Sequence, residues 1–552
     1  MTAPTWQDVA EAARKHRDDT IAQIRPPVPE VPAQADLPLD VTAIPGQLLD
    51  PREDEITTTP AEELLVALAD RSLSSVEVVN AFLRRAAIAQ KLVNCVTELL
   101  PERALARAKY LDEYLAVNKR PFGPLHGLPI SVKEHIGMKG LDLNAGFVSW
   151  VGKVADEDAG LLKILWDAGC VFYVRTTQPQ TLMHLEASTN LYGTTVNPFN
   201  RNLTSGGSSG GEGALLGLRG SCLGIGTDIG GSIRSPAANN GLYGMRPTTY
   251  RLPISGLAMT MAGEEHIVCV IGPLSPSIEA IKLFMKVVIA AKPWLSEPSL
   301  LPLPWRDNVS YLKRNSNNKR RLKVAVEWSD GVVKPHPPVI RALREVTEKL
   351  RGVDGIEVVD WKPYKHDLAW EIIASLYFAD GAQEEIDAIE ASGEPWRALS
   401  RFIIKENPHV KHLSISELWE WTRKRDQYRT DYARVWNETA TATGPDGEPD
   451  RLVDVVLCPV GPGAAPPLEH SRYWGYTAQW NLLDYPCLVF PVTKADPAID
   501  VKDEGYRPIN EKDQYNHNLY VPGMYQDAPV SLQLVGRRYE DEKVIEALEY
   551  IK

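Results

Sequence analysis

Residues 226–234 read Gly-Thr-Asp-Ile-Gly-Gly-Ser-Ile-Arg, and residues 204–212 read Thr-Ser-Gly-Gly-Ser-Ser-Gly-Gly-Glu. In both stretches a pair of glycines precedes a serine, and these serines, Ser208 and Ser232, stand 24 positions apart. Glycine lets the backbone adopt positive φ and lets N–H groups approach a ligand closely. A serine in such a loop can offer its hydroxyl beside several backbone donors, which is what acyl transfer requires.

Other interpretations of these loops are weaker. Gly206–Gly210 fits the G-x-S-x-G nucleophile elbow, but that motif needs a strand immediately before it, and residues 196–205 form a polar stretch. Gly224–Gly230 has one residue too many for the dinucleotide pattern G-x-G-x-x-G, and no GxxxxGK[ST] sequence occurs. A purely structural role for the glycines, in tight turns, would be a good explanation of either loop alone. It is a poor explanation of two such loops so close together in the sequence.

A serine nucleophile needs a base, and the sequence offers two kinds. His126, His135 and His184 stand in separate contexts, and each is predicted to be a surface residue or a satisfied core residue. Lys133 directly follows the apolar run 128–132, which would carry its ammonium group into the interior. Burial lowers the pKa of lysine, and a neutral lysine is a competent base.

The chain around these loops has α/β texture. Short apolar segments at 128–132, 171–175 and 223–226 alternate with helical patterns at 159–168 and 211–218. We therefore expect a catalytic core between about residues 123 and 270.

The later half of the chain is predicted to be mostly scaffold. A helix near 277–291 leads into a proline-rich and then basic connection, followed by a strand–helix–strand unit at 322–361. A helical block at about 367–442 carries many tryptophans, for which core or inter-helix packing is the expected role. Three further buried strands are predicted, at 453–460, 488–493 and 528–535.

The first 60 residues are predicted to be an N-terminal helix and an extended, proline-rich strap over 25–55. Two helix starts follow. Thr59-Pro60-Ala61-Glu62 has an N-cap threonine with proline at the first helical position, and Ser74 to Glu77 repeats the capping-box spacing.

Composition excludes several classes of protein. The 552 residues carry a net charge of −12, which argues against nucleic acid or an anionic membrane surface as the partner. Six cysteines lie far apart without CxxC spacing, so free buried thiols are expected, with no metal site and no cofactor. With no secretory signal and no 18-residue apolar stretch, we expect a cytoplasmic protein without a transmembrane segment.

Together the motifs resemble the amidase signature family. The resemblance rests on Gly123-Pro-Leu-His-Gly-Leu-Pro-Ile-Ser-Val-Lys133 and on the two glycine-serine loops, with Lys133 standing 75 positions before Ser208. Similarity to fungal acetamidase-type amidases, and more distantly to fatty acid amide hydrolases, runs over nearly the whole chain. It implies an α/β/α sandwich around a large mixed β-sheet, formed by one domain at 61–552, with helical insertions at the N-terminus and in the middle.

The resemblance also implies a Ser–cis-Ser–Lys triad. Ser232 would be the nucleophile, Ser208 the proton relay after a cis peptide bond, and Lys133 the base. Asp228 and Arg234 would support the loop. The oxyanion hole would be formed by the backbone N–H groups of Ile229, Gly230, Gly231 and Ser232.

Substrate contacts are expected from Leu182, Met183 and the segment 473–484, and Ser235 stands where relatives often have a bulkier residue, so it should affect pocket shape. The expected reaction is hydrolysis of small aliphatic or aryl amides to an acid and ammonia or an amine, with a small-molecule amide as partner. A fatty-acid-amide hydrolase with a long acyl pocket and an amidotransferase subunit of a complex are the alternatives. The sequence leaves open the acyl-chain length, amide versus ester preference and a homodimeric state.

Overall fold

The computed structural model describes residues 4–307, 312, 321–443 and 449–552, and its strands are short segments spread along this whole length. The basic residues 313–320 of the predicted connection lie outside the described residues. In chain order the strands are β1 (Val96–Leu99), β2 (Pro129–Lys133), β3 (Val171–Thr176), β4 (Ser188–Thr189), β5 (Gly193–Thr194), β6 (Gly224–Asp228), β7 (Tyr243–Arg246), β8 (Val270–Ser275), β9 (Leu322–Val326), β10 (Ile356–Asp360), β11 (Ala442–Thr443), β12 (Pro449–Asp450), β13 (Val455–Pro459), β14 (Cys487–Lys494) and β15 (Pro529–Val535).

Eleven of the described strands form one mixed sheet in the order β1-β3-β2-β6-β8-β7-β14-β15-β13-β9-β10. β2 is parallel to both of its neighbours, β3 and β6. From β6 to β13 each strand is antiparallel to the next. β9 is parallel to β13 and β10, so the predicted strand–helix–strand unit is confirmed.

The helices fill the connections between these strands. They are α1 (Trp6–Ala22), α2 (Ile44–Leu48), α3 (Pro51–Thr58), α4 (Ala61–Asp70), α5 (Ser75–Val93), α6 (Pro101–Asn118), α7 (Gly160–Asp167), α8 (Gly210–Gly217), α9 (Arg234–Asn239), α10 (Ile278–Ala290), α11 (Pro337–Arg351), α12 (His366–Tyr377), α13 (Gln383–Ser392), α14 (Ala398–Ile404), α15 (Ile415–Asn437), α16 (Gly475–Leu483), α17 (Glu511–Leu519) and α18 (Asp541–Ile551).

Both faces of the sheet are covered, as the predicted α/β/α sandwich requires. Side chains alternate across a strand, so Val455 and Leu457 of β13 pack into one hydrophobic cluster together with α10, α11 and α18. Val456 and Cys458 pack into a second cluster together with α12, α15 and α16. The predicted helical block therefore covers one face of the sheet in this half of the molecule.

The strand directions bring the candidate residues to one edge. Lys133 is the last residue of β2, and Asp228 is the last residue of the adjacent parallel strand β6. Parallel strands end at the same side of a sheet. Ser208 precedes α8 and Ser232 lies between β6 and α9, so the two loops meet at this edge.

The N-terminal region departs from its prediction. The strap is not extended throughout, because α2 and α3 form within it. Thr59 does not cap α4: its hydroxyl donates to the Glu55 carbonyl at the end of α3, and Pro60 occupies the N-cap position. Thr59 is the C-cap residue of α3, so its hydroxyl is within reach of a carbonyl of that helix. Ser74 caps α5 as predicted, accepting from Glu77 N–H at 3.1 Å.

The predicted interior side chains are mostly buried. All six cysteines are free and buried, as expected. Among the tryptophans of the helical block, Trp436 is fully buried, whereas Trp419 is 65% exposed. The prediction that these tryptophans pack in the core or between helices was therefore wrong for Trp419. Trp419 lies on the face of α15 that is turned to solvent.

A buried ion-pair cluster ties the last helix to the loop after β7. The Arg251 side chain is fully buried and contacts the Asp541 and Glu542 carboxylates at 3.0 Å each. Arg251→Gln leaves the Asp541 carboxylate without its cation, while Glu542 keeps Arg306 at 2.9 Å, so we expect the free energy of unfolding to fall by about 3 kcal/mol. Urea denaturation followed by tryptophan fluorescence measures this.

The matched control is Lys282→Gln, which removes the partly exposed pair between α10 and Glu549 of α18. An exposed pair contributes about 0–1 kcal/mol, so this variant should denature nearly as the wild type does. Equal losses in the two variants would contradict a stabilising role for the buried cluster.

Candidate active site

Lys133 lies at the centre of the site. Its side chain is fully buried at the end of β2, with Nζ 2.6 Å from Ser208 Oγ and 3.0 Å from Thr227 Oγ1. Burial lowers the pKa of this amine to about 7. The neutral amine is therefore a major form at neutral pH, which an exposed lysine is not.

The hydrogen bonds beyond Lys133 follow from the chemistry of His135. Nδ1 of His135 lies 2.9 Å from the Ala258 carbonyl oxygen, which can only accept, so Nδ1 carries the proton. Burial, and next the nearby Lys133, lower the pKa of His135 well below its ordinary value, so Nε2 is an acceptor. The Thr227 hydroxyl then donates to Nε2 at 3.0 Å and accepts from Nζ. This arrangement leaves the amine lone pair free to accept from the Ser208 hydroxyl.

Ser208 is held by the close packing of its loop. The Gly207–Ser208 peptide bond is cis, which confirms the prediction. A Cβ on Gly207 would lie 2.3 Å from the Glu186 nitrogen, so only glycine fits there. The N–H of Ser209 donates to the Ser232 carbonyl at 3.1 Å, which joins the two serine loops directly.

The loop that carries Ser232 is clamped by a buried ion pair. Asp228 and Arg234 are fully buried, and their closest side-chain contacts are 3.0 Å. Asp228 also accepts from the backbone N–H groups of Gly231 and Ile233, at 2.9 and 3.1 Å. Burial by itself would raise the pKa of Asp228, but the Arg234 charge and the hydrogen bonds outweigh it and lower that pKa to about 2.

Residues of the helical layers hold the same loop from outside. The Tyr377 hydroxyl donates to the Ile229 carbonyl at 2.8 Å, and the Thr477 hydroxyl donates to the Gly230 carbonyl at 2.6 Å. Because a trans peptide places C=O and N–H on opposite sides, these bonds turn the following N–H groups away from the helices. The N–H of Gly231 is already used by Asp228, which differs from the expectation that it serves an oxyanion.

A narrow cavity of about 30 Å³ opens on both serines. Ser208, Ser232 and Thr227 contribute to its wall, together with Leu182 and Met183, which were expected to contact substrate. Within the expected segment 473–484 the structure separates two groups of residues. Thr477 and Asn481 support the Asp228–Arg234 pair, whereas Tyr473 and Trp474 line a different cavity.

Several residues of this site are missed by sequence reasoning. Thr227 and His135 adjoin Lys133, although His135 was expected to be an ordinary core or surface residue. Glu212 on α8 accepts from the Ser131 and Thr176 hydroxyls at 2.5 and 2.7 Å, and burial raises its pKa to about 7. The sequence signal that could have identified Glu212 is an acidic residue inside a glycine-rich, apolar stretch. His184 is buried with both ring nitrogens unpaired, so it is not the satisfied core residue expected.

Comparison with known proteins agrees with this fold. The Amidase family model matches residues 77–545. A putative amidase of Schizosaccharomyces pombe is 47% identical over 99% of this chain and 98% of its own, and an acetamidase of Emericella nidulans is 41% identical over the same shares. A solved fatty acid amide hydrolase superposes with a TM-score of 0.90 at 37% identity, over 99% of this chain and 94% of that one.

These matches and the large mixed sheet define an amide-cleaving hydrolase. The chain belongs to the amidase signature family. In the described part of the chain, no helix is long and apolar enough to cross a bilayer, and no group of three His, Cys, Asp or Glu side chains is placed to hold a metal.

The clamp on the serine loop yields a stability prediction. Asp228→Asn leaves the buried Arg234 guanidinium without its counter-charge, so we expect a loss of about 3–5 kcal/mol in the free energy of unfolding. In the wild type the contribution of the Asp228 carboxylate is present above pH 3.8 and is lost as the pH falls through about 2. Urea denaturation at pH 7 and at lower pH measures both effects.

The comparison variant is Asp158→Asn, whose partner Arg103 lies 3.6 Å away in a pair one-third exposed. It should change stability by about 1 kcal/mol at most. If Asp228→Asn is equally mild, the ion pair does not hold the loop.

Proposed function

We propose that this protein hydrolyses carboxylic amides to an acid and ammonia or an amine through an acyl-enzyme on Ser232. Ser208 relays the proton and Lys133 is the base. The observation that carries the proposal is the buried Lys133 amine 2.6 Å from Ser208 Oγ, with Ser208 and Ser232 in the wall of one cavity. A neutral amine facing a hydroxyl has the geometry of general-base catalysis.

The chemistry follows the hydrogen-bond directions set by His135 and Thr227. Ser232 Oγ attacks the amide carbonyl carbon and passes its proton to Ser208 Oγ, whose own proton goes to Lys133 Nζ. When the C–N bond breaks, the leaving nitrogen takes a proton back along this path. Water then attacks the Ser232 ester with the same relay, which releases the acid and restores the hydroxyl.

Negative charge develops on the substrate oxygen in both steps. The expected donors are backbone N–H groups of the Ser232 loop. Since the N–H of Gly231 is bonded to Asp228, the proposed oxyanion hole consists of the N–H groups of Ile229, Gly230 and Ser232. The bond from Tyr377 to the Ile229 carbonyl orients the N–H of Gly230, and the bond from Thr477 to the Gly230 carbonyl fixes the loop before substrate binds.

Two observations bear on the substrate. The small volume at Ser232 and the acetamidase relatives support small aliphatic or aryl amides. The likeness to fatty acid amide hydrolase supports a second candidate, amides of long-chain acids. Rates over acyl amides from two to sixteen carbons, without glutamine or ATP, would separate these candidates and also test the amidotransferase alternative.

The lysine base predicts a pH profile. Lys133 must be neutral to act, so kcat/KM should rise with pH through a single ionisation near 7 and level off above it. Lys133→Ala should lower kcat/KM by about 10³-fold and flatten the profile. Thr227→Val removes the acceptor that orients Nζ, and we expect a smaller loss with the ionisation retained. Initial rates between pH 5 and 9.5 measure these effects.

A histidine base is the competing mechanism. The profile of an ordinary histidine would break near pH 6.5, and that of the buried His135 would break at lower pH. The discriminating variant is His135→Asn. If it abolishes activity while Lys133→Ala keeps near-wild-type hydrolysis at pH 8, the lysine mechanism is wrong.

The nucleophile can be identified by covalent labelling. A fluorophosphonate should form one adduct on Ser232, found by mass spectrometry of peptides, and Ser232→Ala should not label. Ser208→Ala should label far more slowly because the proton relay is broken. The control is Ser205→Ala, a buried serine of the same loop whose hydroxyl donates to the Thr195 carbonyl and which should label as the wild type does. An adduct on any residue but Ser232 contradicts the assignment.

A further inference from the structure

A second cavity, of about 280 Å³, adjoins the narrow one. Leu185 contributes to its wall, two residues beyond Met183 of the narrow cavity. Trp474 also lines it, and the ring of Trp474 packs so tightly on the serine loop that a Cβ on Gly230 would lie 2.8 Å away. Ser235, three residues after the nucleophile, is part of the same wall. The walls of this cavity, which we call the distal cavity, and of the narrow one are therefore formed by neighbouring residues of the same two segments.

Aromatic rings and two exposed cations contribute to the wall of the distal cavity. Trp370, Phe402 and Trp474 supply broad apolar surfaces. Arg472 and Lys512 also line it; the Arg472 guanidinium lies 5.2 Å from the Phe402 ring centre, and the Lys512 amine lies 5.9 Å from that of Trp370. Those distances are within the range of cation–π contact.

Neither cation is in an ion pair within the described part of the chain. Among the residues that the structure describes, no carboxylate lies within 4 Å of Arg472 or Lys512. Glu511 is the one acidic side chain in the wall, so the lining carries a net positive charge. The nearby Asp330 is occupied by the Tyr473 hydroxyl, and burial lowers the pKa of Lys512 more than Asp330 and Asp367 raise it.

We infer that the distal cavity binds the part of the substrate remote from the scissile amide, and that this part is an aromatic or alkyl group ending in a carboxylate. This inference rests on the proposed amide hydrolysis. The aromatic walls favour an apolar group, and a guanidinium and an ammonium without counter-ions favour an anion. Ser235, three residues after Ser232, contributes only a small side chain to the wall of the cavity.

Matched amides test this specificity. One series consists of primary amides whose aryl acyl group ends in a carboxylate or in a methyl group, and the other consists of N-substituted acetamides with the same two ends. In one series the carboxylate should raise kcat/KM about tenfold, the effect of one charge-assisted hydrogen bond. The series that responds tells whether the acyl or the amine side occupies the cavity.

The advantage of the carboxylate should disappear in the Arg472→Gln/Lys512→Gln double variant. The matched control is Lys405→Gln, which removes a lysine lying 4.3 Å from the Trp396 ring outside the cavity wall and should keep the wild-type ratio. Ser235→Leu narrows the cavity, so kcat/KM for the aryl amides should fall about tenfold relative to that for acetamide.

Binding measurements test the specificity of the distal cavity separately from the proposed amide hydrolysis. In calorimetry, the Ser232→Ala variant should bind the carboxylate amide about tenfold more tightly than its methyl counterpart. Combining Ser232→Ala with Arg472→Gln and Lys512→Gln in one protein should abolish this difference. If the wild type cleaves none of the amides, the proposed reaction is wrong while calorimetry still decides the inference. Equal affinities and equal rates for the two ends in both series would overturn it.

Discussion

The buried pair between Asp228 and Arg234 is the interaction on which the site depends. A loop containing Gly230 and Gly231 has much backbone freedom to lose on folding, so something must hold it in one conformation. Asp228 does so by accepting hydrogen bonds from the loop backbone and from Asn481 while Arg234 balances its charge. Because Asn481 lies on α16, the clamp connects the serine loop with a helix about 250 residues further along the chain.

Burial keeps Lys133 neutral against the charges of its neighbours. A free carboxylate at Asp228 would stabilise the lysine ammonium and raise its pKa, and Asp228 acts in that direction on Lys133. Arg234 holds Asp228 in an ion pair, and burial of Lys133 lowers its pKa more than Cys269, Asp228 and Glu212 raise it. Glu212 contributes in a related way, since burial raises its own pKa to about 7 and weakens its charge near neutrality. A neutral lysine in this fold thus depends first on the burial of its side chain.

Sequence patterns predicted the elements that carry the site, and failed where partners come from distant segments. The apolar runs before Lys133 and Asp228 correctly indicated two buried strands, because strand periodicity is a local property. Thr59 was placed on the wrong helix, since a side chain between two helices can serve either one. His135 was undervalued because its partners, Ala258 and Thr227, are about 90 or more positions away.

The sequence by itself determined the α/β class and the two glycine-serine loops, because each depends on a few neighbouring residues, and its resemblance to the amidase signature family singled out Lys133, Ser208 and Ser232 as candidates. Only the tertiary structure decided which N–H groups of the loop are available, which direction the hydrogen bonds run from His135 to Ser208, and that Trp370, Phe402 and Arg472 share one cavity. These features depend on distances between residues separated by tens to hundreds of positions, and such distances are set by how the helices pack on the two faces of the sheet.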